Sequence, residues 1–378
     1  MPKNTGGAKT LSERCSEMWN EFLKKEQQLP SRVTIPSDHI RGAKYSPVIL
    51  ESNVHYFTVR INEIFLFYKR KLWKELDPMV FVVSEFIYNK KKETVPFIVG
   101  PAMLENLKKT DISTTRMIFC DTKVAGFHPY KGGDLTLSVM LCQVARNNDA
   151  KKWLRIIESA ANALDYATAL GSYLKVAGVV IDGLEELAGI KGITPLIGLR
   201  KEFDPDAGDD LKQSYFALIN APESGLDDKE LWVVDNKLLK GKDFESAKPY
   251  READYVLYSI RSTTRRSDVD RLPFSGVWER VQQEAMKPDD NSWERAKADL
   301  ISLYQTMYLS PDLTTGQAND LKAQYIKEMT KLHEDAKQTF PKAVPVARRE
   351  AALTVAEEDL ARLVMKKKLK ESVQILEL

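Results

Sequence analysis

"IIESAANALDYATALGSYLKVAGVVIDGLEELAGI", Ile156 to Ile190, is the stretch on which the fold turns. It is rich in Ala, Gly, Leu and Val and lies mid-chain, so it is either a bilayer span or the spine of a protein core. A span needs about 20 mainly apolar residues. The longest charge-free run here is the nine residues from Tyr166 to Leu174. A span-length window centred there, or on Val179, buries at least two charges. Each costs about 2.5–3.5 kcal/mol near the bilayer centre. Packing against protein leaves the charged edge in water, so a core helix is expected.

The period of the stretch supports that. Ile157, Ala160, Leu164, Ala167, Gly171, Leu174, Gly178 and Ile181 recur at alternating steps of three and four, the seam of a packed helix. Glu158, Asp165, Lys175, Asp182 and Glu186 gather on the neighbouring ridge. The phase persists across Gly171, which predicts one long or gently broken helix. The alternative is a membrane-active effector that inserts residues 153–189 after a trigger, because Ala163, Ala167 and Gly171 form a small-xxx-small row.

Strand signals flank the block. In "HYFTVRINEIFLF", Phe57, Val59 and Ile61 alternate with Thr58, Arg60 and Asn62, the period of a half-buried strand. Met79–Val83 is a continuous apolar run, as in a strand covered on both faces. "YNKKKETV" is a hairpin tip, and "HPYKGGD" a turn in which Gly132 and Gly133 take positive φ. Leu135, Leu137, Val139 and Leu141 share a face of the next strand. Strands resume over 215–262, with Asp235-Asn236 at a tight hairpin turn. From Pro273 the pattern becomes helical, and Pro341 and Pro345 interrupt it.

These signals define an α+β protein: an antiparallel β sandwich or barrel, split by a long small-residue-rich helix and followed by a helical C-terminal unit. The expected parts are an N-terminal helical lead (1–30), a β-rich domain (31–272) with a helical insertion at 151–190, and a helical region (273–340). A Pro-bounded linker (341–345) and a C-terminal amphipathic helix (346–378) complete the chain.

Composition narrows the function classes. The 378 residues carry 56 basic and 54 acidic side chains, a net charge of +2 that gives the chain as a whole no strong pull on nucleic acid or anionic lipid. Three cysteines, Cys15, Cys120 and Cys142, and no apolar run behind the N-terminal lysines point to a reducing, cytoplasmic setting. The P-loop, GxGxxG, GxSxG and HExxH patterns are missing. The four histidines, His39, His55, His128 and His333, are scattered; Cys120 and His128 alone stand within reach across a turn.

Asp204, Asp206, Asp209 and Asp210 supply hard oxygen ligands at short spacing, which makes calcium the candidate ion, although the loop does not fit an EF-hand. Basic clusters at Lys90–Lys92, Arg261–Arg266 and Lys366–Lys370 are the case for nucleic acid. The last helix is the main interaction element, with Val355, Leu360, Leu363 and Val364 on its apolar face and Lys366, Lys367 and Lys368 beside them. The expectation is a non-enzymatic, cytosolic protein-protein interaction or regulatory module, controlled by cleavage near the linker. The alternative is an enzyme whose active site is dispersed over distant strands.

Overall fold

The structure is a computed structural model that describes residues 9–23, 31–42, 45–67, 70–71, 74–100, 103, 117–145, 148–166, 169–189, 193–205, 208, 211–221 and 226–339. The chain divides into two compact units, one of residues 1–278 with 301–324 and the other of residues 279–300 with 325–378. The fold is mixed, with helices and three sheets.

The first sheet runs in the order β1 (Ser31–Thr34), β10 (Ser214–Ile219), β14 (Tyr255–Thr263), β3 (Tyr56–Phe65) and β7 (Met117–Pro129), antiparallel throughout. The second has β5 (Lys74–Tyr88) paired with β8 (Leu135–Ala145), which pairs in turn with β9 (Ile193–Phe203). β6 (Lys91–Val99) and the short β4 (Arg70–Lys71) also pair with β5. A small third sheet is ordered β13 (Lys248–Pro249), β12 (Lys237–Lys240), β11 (Leu231–Val234) and β2 (Ile40–Arg41), and its β11–β2 pairing is parallel.

β3 forms where the alternation places it, but it is covered on both faces instead of half-buried: Thr58 and Asn62 are buried as well, and Arg60 alone is intermediate. Phe57, Val59 and Ile61 are fully buried, and they join one core with Met79–Val83 of β5 and Leu135, Leu137, Val139 and Leu141 of β8. Each such side chain contributes about 1.5–3 kcal/mol by leaving water. The opposite face of the first sheet carries Tyr215, Ala217, Leu257 and Phe65, which form a second core with Leu231, Val233 and Leu238 of the third sheet. Both hairpin turns expected from the sequence form. Asn89-Lys90 and Asp235-Asn236 take left-handed backbone, with φ of 49° and 64° in each pair. Gly132 and Gly133 have φ of 90° and 77°.

The Ala- and Gly-rich stretch corrects the sequence reading in three ways. It forms two helices, α2 (Asn148–Tyr166) and α3 (Leu170–Gly189), packed against each other, instead of one long or gently broken helix. The reason is a remote cap: Oδ1 of Asp312 accepts the backbone N–H of Leu170 at 3.1 Å, so a new helix begins there. The buried stripe of α3 is Leu170, Tyr173, Ala177, Val180, Ile181, Leu184 and Leu187, one position ahead of the expected Gly171, Leu174 and Gly178. Glu158, expected on a wet ridge, is buried, and its carboxylate accepts the backbone N–H of Met103 at 3.4 Å. The exposed charges of α3 are Lys175, Asp182, Glu185 and Glu186. No helix among the described residues is long and apolar enough to cross a membrane.

The N-terminal helix α1 (Leu11–Leu23) opens with a reciprocal capping box. The Glu13 N–H donates to Thr10 Oγ1 at 3.3 Å, and the Thr10 N–H donates to Glu13 Oε2 at 2.8 Å. Cys15, Met18 and Trp19 of α1 enter the main core, and Arg14 reaches Asp182 and Glu185 on α3. Beyond the sheets lie α4 (Ser275–Ala285), α5 (Asp290–Leu309) and α6 (Thr315–Thr339), as the helical pattern from Pro273 predicts. Asp289 caps α5 by accepting the Ser292 N–H at 2.9 Å. In the second unit, His333 of α6 lies flat on Trp293, 4.3 Å between ring centres, and its Nδ1 meets the carbonyls of Ala285 and Lys287 at the end of α4. That interaction satisfies carbonyls a helix C-terminus otherwise leaves open. The linker 341–345 and the helix expected over 346–378 lie outside the described residues.

Candidate functional site

The face of the first sheet that packs on the third also carries a half-buried polar cluster, and irregular strand pairing creates it. Leu257 pairs with Glu63 and Tyr258 with Ile61, which leaves Asn62 as an extra residue of β3. Such a bulge turns two successive side chains toward one face. On the other side of β3, Ile61 pairs with Thr122 and Glu63 with Phe119, so β7 has its own extra residue around Asp121, whose φ is +33°. Left-handed backbone at a non-glycine strand residue is held by its surroundings and concentrates at functional positions.

Those surroundings are the cluster itself. Asp121 Oδ1 accepts hydrogen bonds from Arg60 Nε at 2.8 Å, Asn62 Nδ2 at 2.9 Å and Arg261 Nη2 at 3.3 Å. Arg60 Nη2 also donates to the Asp121 carbonyl. Arg261 Nη2 continues to Asn236 Oδ1 at 2.8 Å and lies 3.4 Å from the Tyr215 hydroxyl, which itself donates to Asn236 Oδ1. Burial pushes the Tyr215 hydroxyl above its usual pKa, and Arg261 opposes the shift. Tyr215, Ser259, Arg60 and Lys123 occupy one cross-strand row over four adjacent strands. The cluster therefore fixes the β11–β12 turn to the sheet while holding two guanidiniums part-open to solvent.

Beneath it are buried polar groups. Asn62 Oδ1 and Ser259 Oγ are inaccessible and have no hydrogen-bond partner among the described residues. Glu63, on the same bulge, accepts the Leu238 N–H and the Tyr255 hydroxyl, each at 2.8 Å, through Oε2. Burial raises the Glu63 carboxyl above its ordinary range, with the two hydrogen bonds opposing.

A second polar cluster is buried apart from the half-buried Asp268. The α5–α6 connection brings Asp312 against Tyr88, whose hydroxyl donates to Oδ1 at 3.1 Å, and against the start of α3. Arg266 grips Asp268 with two nitrogens at 2.7 and 2.9 Å and donates to the Asp312 carbonyl at 2.9 Å. Gln317 pairs with the Arg266 backbone in both directions, and the Thr314 N–H donates to the Tyr56 hydroxyl at 2.9 Å. Burial raises the Asp312 carboxyl above its ordinary range, opposed by the Leu170 N–H, Arg266 and Tyr88. These hydrogen bonds tie the α5–α6 connection to β3, β5, Arg266 and the start of α3, so the cluster locks the loop in place.

Among the sequence candidates, Asp204 is half-buried just beyond β9, while Asp206, Asp209 and Asp210 lie outside the described residues, as do Val355, Leu360, Leu363, Val364, Lys366, Lys367 and Lys368. The "RSTTRR" segment is not a bare basic patch: Arg261 meets Asp121, Arg265 meets Asp320 and Arg266 meets Asp268. The histidines do not converge. His128 is buried against Phe86, 4.7 Å between ring centres, with its pKa depressed to about 3 by burial, then Arg266 and Lys123. His39 stacks on Trp232 at 3.9 Å. His55 accepts the Glu51 N–H at 3.0 Å. Cys15 and Cys142 are buried thiols, and burial pushes Cys15 up to about 12; the Cys120 side chain lies outside the described set.

The residues missed in the sequence were Asp121, Tyr215 and Asn236 as partners of Arg60 and Arg261. The available signal was Arg60 and Asn62 recurring on the polar side of an otherwise apolar strand. No protein-family model, curated protein or solved structure matches the chain.

Proposed function

We propose that this chain is a non-enzymatic, cytosolic partner-binding module of regulatory character, and that the Arg60–Asp121–Arg261 face is where a partner protein docks. One observation carries the reading: two part-exposed guanidiniums stand on rigid strands, fixed by a shared carboxylate, with nitrogens still free of hydrogen bonds among the described residues. Preset arginines on a stiff platform lose little freedom on binding and are common anchors of protein interfaces. The described imidazoles lend support, since each is engaged in stacking or backbone hydrogen bonds of its own. In this reading the first two sheets form the layers of a sandwich around their shared core, and cleavage within 341–345 separates the module from its C-terminal segment.

The test is affinity capture from the native cytosol with the wild-type chain and with Arg261→Glu, followed by mass spectrometry of both captured protein and bound small molecules. A defined protein retained by wild type and lost by the variant supports the reading. A copurifying metabolite or metal, with no protein dependent on Arg261, overturns it in favour of an enzyme.

A further inference from the structure

The cluster organised by Asp121 is not balanced in charge. Two guanidiniums meet one carboxylate, so one positive charge has no counter-charge inside the set. Lys123, level with Arg60 on β7, adds a further positive charge beside the set, its ammonium 5.2 Å from the ring centre of Phe127. Among the described residues, Arg60 Nη1 and Arg261 Nε and Nη1 carry no hydrogen bond, whereas Asp121 Oδ1 already accepts three. The side chains of Arg60 and Arg261 are 25% and 34% exposed, open enough for an incoming group to reach them. A guanidinium offers planar paired donors that match a carboxylate, and it is more weakly hydrated than an ammonium.

We infer that Arg60 and Arg261 form a receptor for a single carboxylate, the Asp or Glu side chain of the partner protein, a conclusion that rests on the binding-module reading above. The two oxygens of a carboxylate match the paired donors of a guanidinium, and a phosphate group, which brings about −1.5 to −2, is the competing anion that the titration below measures. Asp121 has two opposed effects. It aligns the two arginines, and its own charge works against the incoming one.

The experiment is an NMR titration of the full chain, followed at the Nε–H resonances of Arg60 and Arg261. The probes are the capped peptide Gly-Glu-Gly-Glu-Gly, the same peptide with Gln for Glu, and inorganic phosphate. The Glu peptide is expected to shift both resonances and to weaken with added salt, and the Gln peptide to leave them in place. Arg261→Gln is expected to weaken binding about tenfold or more. Asp121→Asn is expected to tighten it, a gain that a damaged fold could not produce. Equal binding of the Gln peptide, phosphate binding as tight as the Glu peptide, or no response to any probe overturns the inference. If the Glu peptide fails while partner capture still depends on Arg261, the carboxylate receptor falls and the module stands. If the peptide binds while capture ignores Arg261, the module falls and the receptor stands.

Discussion

The contact between α2 and α3 offers the sharpest test of the packing argument, because it separates two glycines that look alike in the sequence. A methyl group added at Gly183 would lie 2.3 Å from Cγ1 and 2.8 Å from Cδ1 of Ile157, whereas one added at Gly178 meets nothing within 4 Å. Replacing a helical glycine by alanine yields about 0.8–1 kcal/mol of helix propensity at either position. At Gly178 that gain stands alone, so Gly178→Ala is expected to stabilise by up to about 1 kcal/mol. At Gly183 it is opposed by overpacking, which costs about 1–3 kcal/mol. Ile157 is fully buried and branched at Cβ, so it has little freedom to swing aside. Gly183→Ala is therefore expected to fall about 1–3 kcal/mol below Gly178→Ala in urea unfolding, with an unchanged denaturant slope. Ile157→Val removes only Cδ1 and leaves the closer Cγ1, so it gives little relief. Ile157→Ala leaves Cβ 3.7 Å away, an ordinary contact, and in that background Gly183→Ala is expected to become stabilising. The reasoning is refuted if Gly183→Ala and Gly178→Ala shift the midpoint alike in the wild-type background.

The Glu63 carboxyl has a folded pKa raised by burial, so its contribution to stability is whole below the unfolded value of 4.5 and is lost as pH rises through the folded one. Glu63→Gln is accordingly expected to gain on wild type between pH 4 and pH 8 in paired thermal melts, and a constant difference across that range would contradict the assignment. Arg266→Leu strands the Asp268 carboxylate and the Asp312 carbonyl in the loop cluster and is expected to cost about 3–5 kcal/mol; a loss below about 1 kcal/mol in chemical denaturation would show the pair to be dispensable. Cys15 and Cys142, both buried, are expected to resist alkylation at pH 8 in the folded chain and to react fully in urea, read out peptide by peptide in mass spectra.

Short-range features were legible in the sequence for short-range reasons. The position of β3, the covered run of β5, both left-handed turns and the helices between Pro273 and Thr339 depend on neighbours a few residues away, and these stand in the structure, although β3 is covered on both faces and not half-buried. The break between α2 and α3 was not legible, because the group that starts α3 is the side chain of residue 312, remote in sequence. A heptad phase that survives a glycine is compatible with one helix or with two, and only the cap decides. Burial of Glu158 was hidden in the same way, since its acceptor role answers to the backbone at Met103. The candidate site shows the limit most clearly. Arg60 and Asn62 were visible as polar residues of an apolar strand, but Asp121 and Arg261 reach them only through pairing with β7 and β14 and through bulges that no local pattern announces.

The buried cluster around Asp312 also sets an order of events for a chain made from its N-terminus onward. The hydroxyl of Tyr56, the first turn of α3 and the guanidinium of Arg266 all wait for one short connection, which Tyr56 precedes by 258 residues. While the ribosome has yet to deliver Asp312 and Thr314, the nascent body carries an unsealed helix end, and Arg266, though paired with Asp268, lacks the carbonyl that completes its seat. Fragments that stop between Thr263 and that connection are therefore expected to be handled by the cell as unfinished goods, even though every described strand of the three sheets is already present in them.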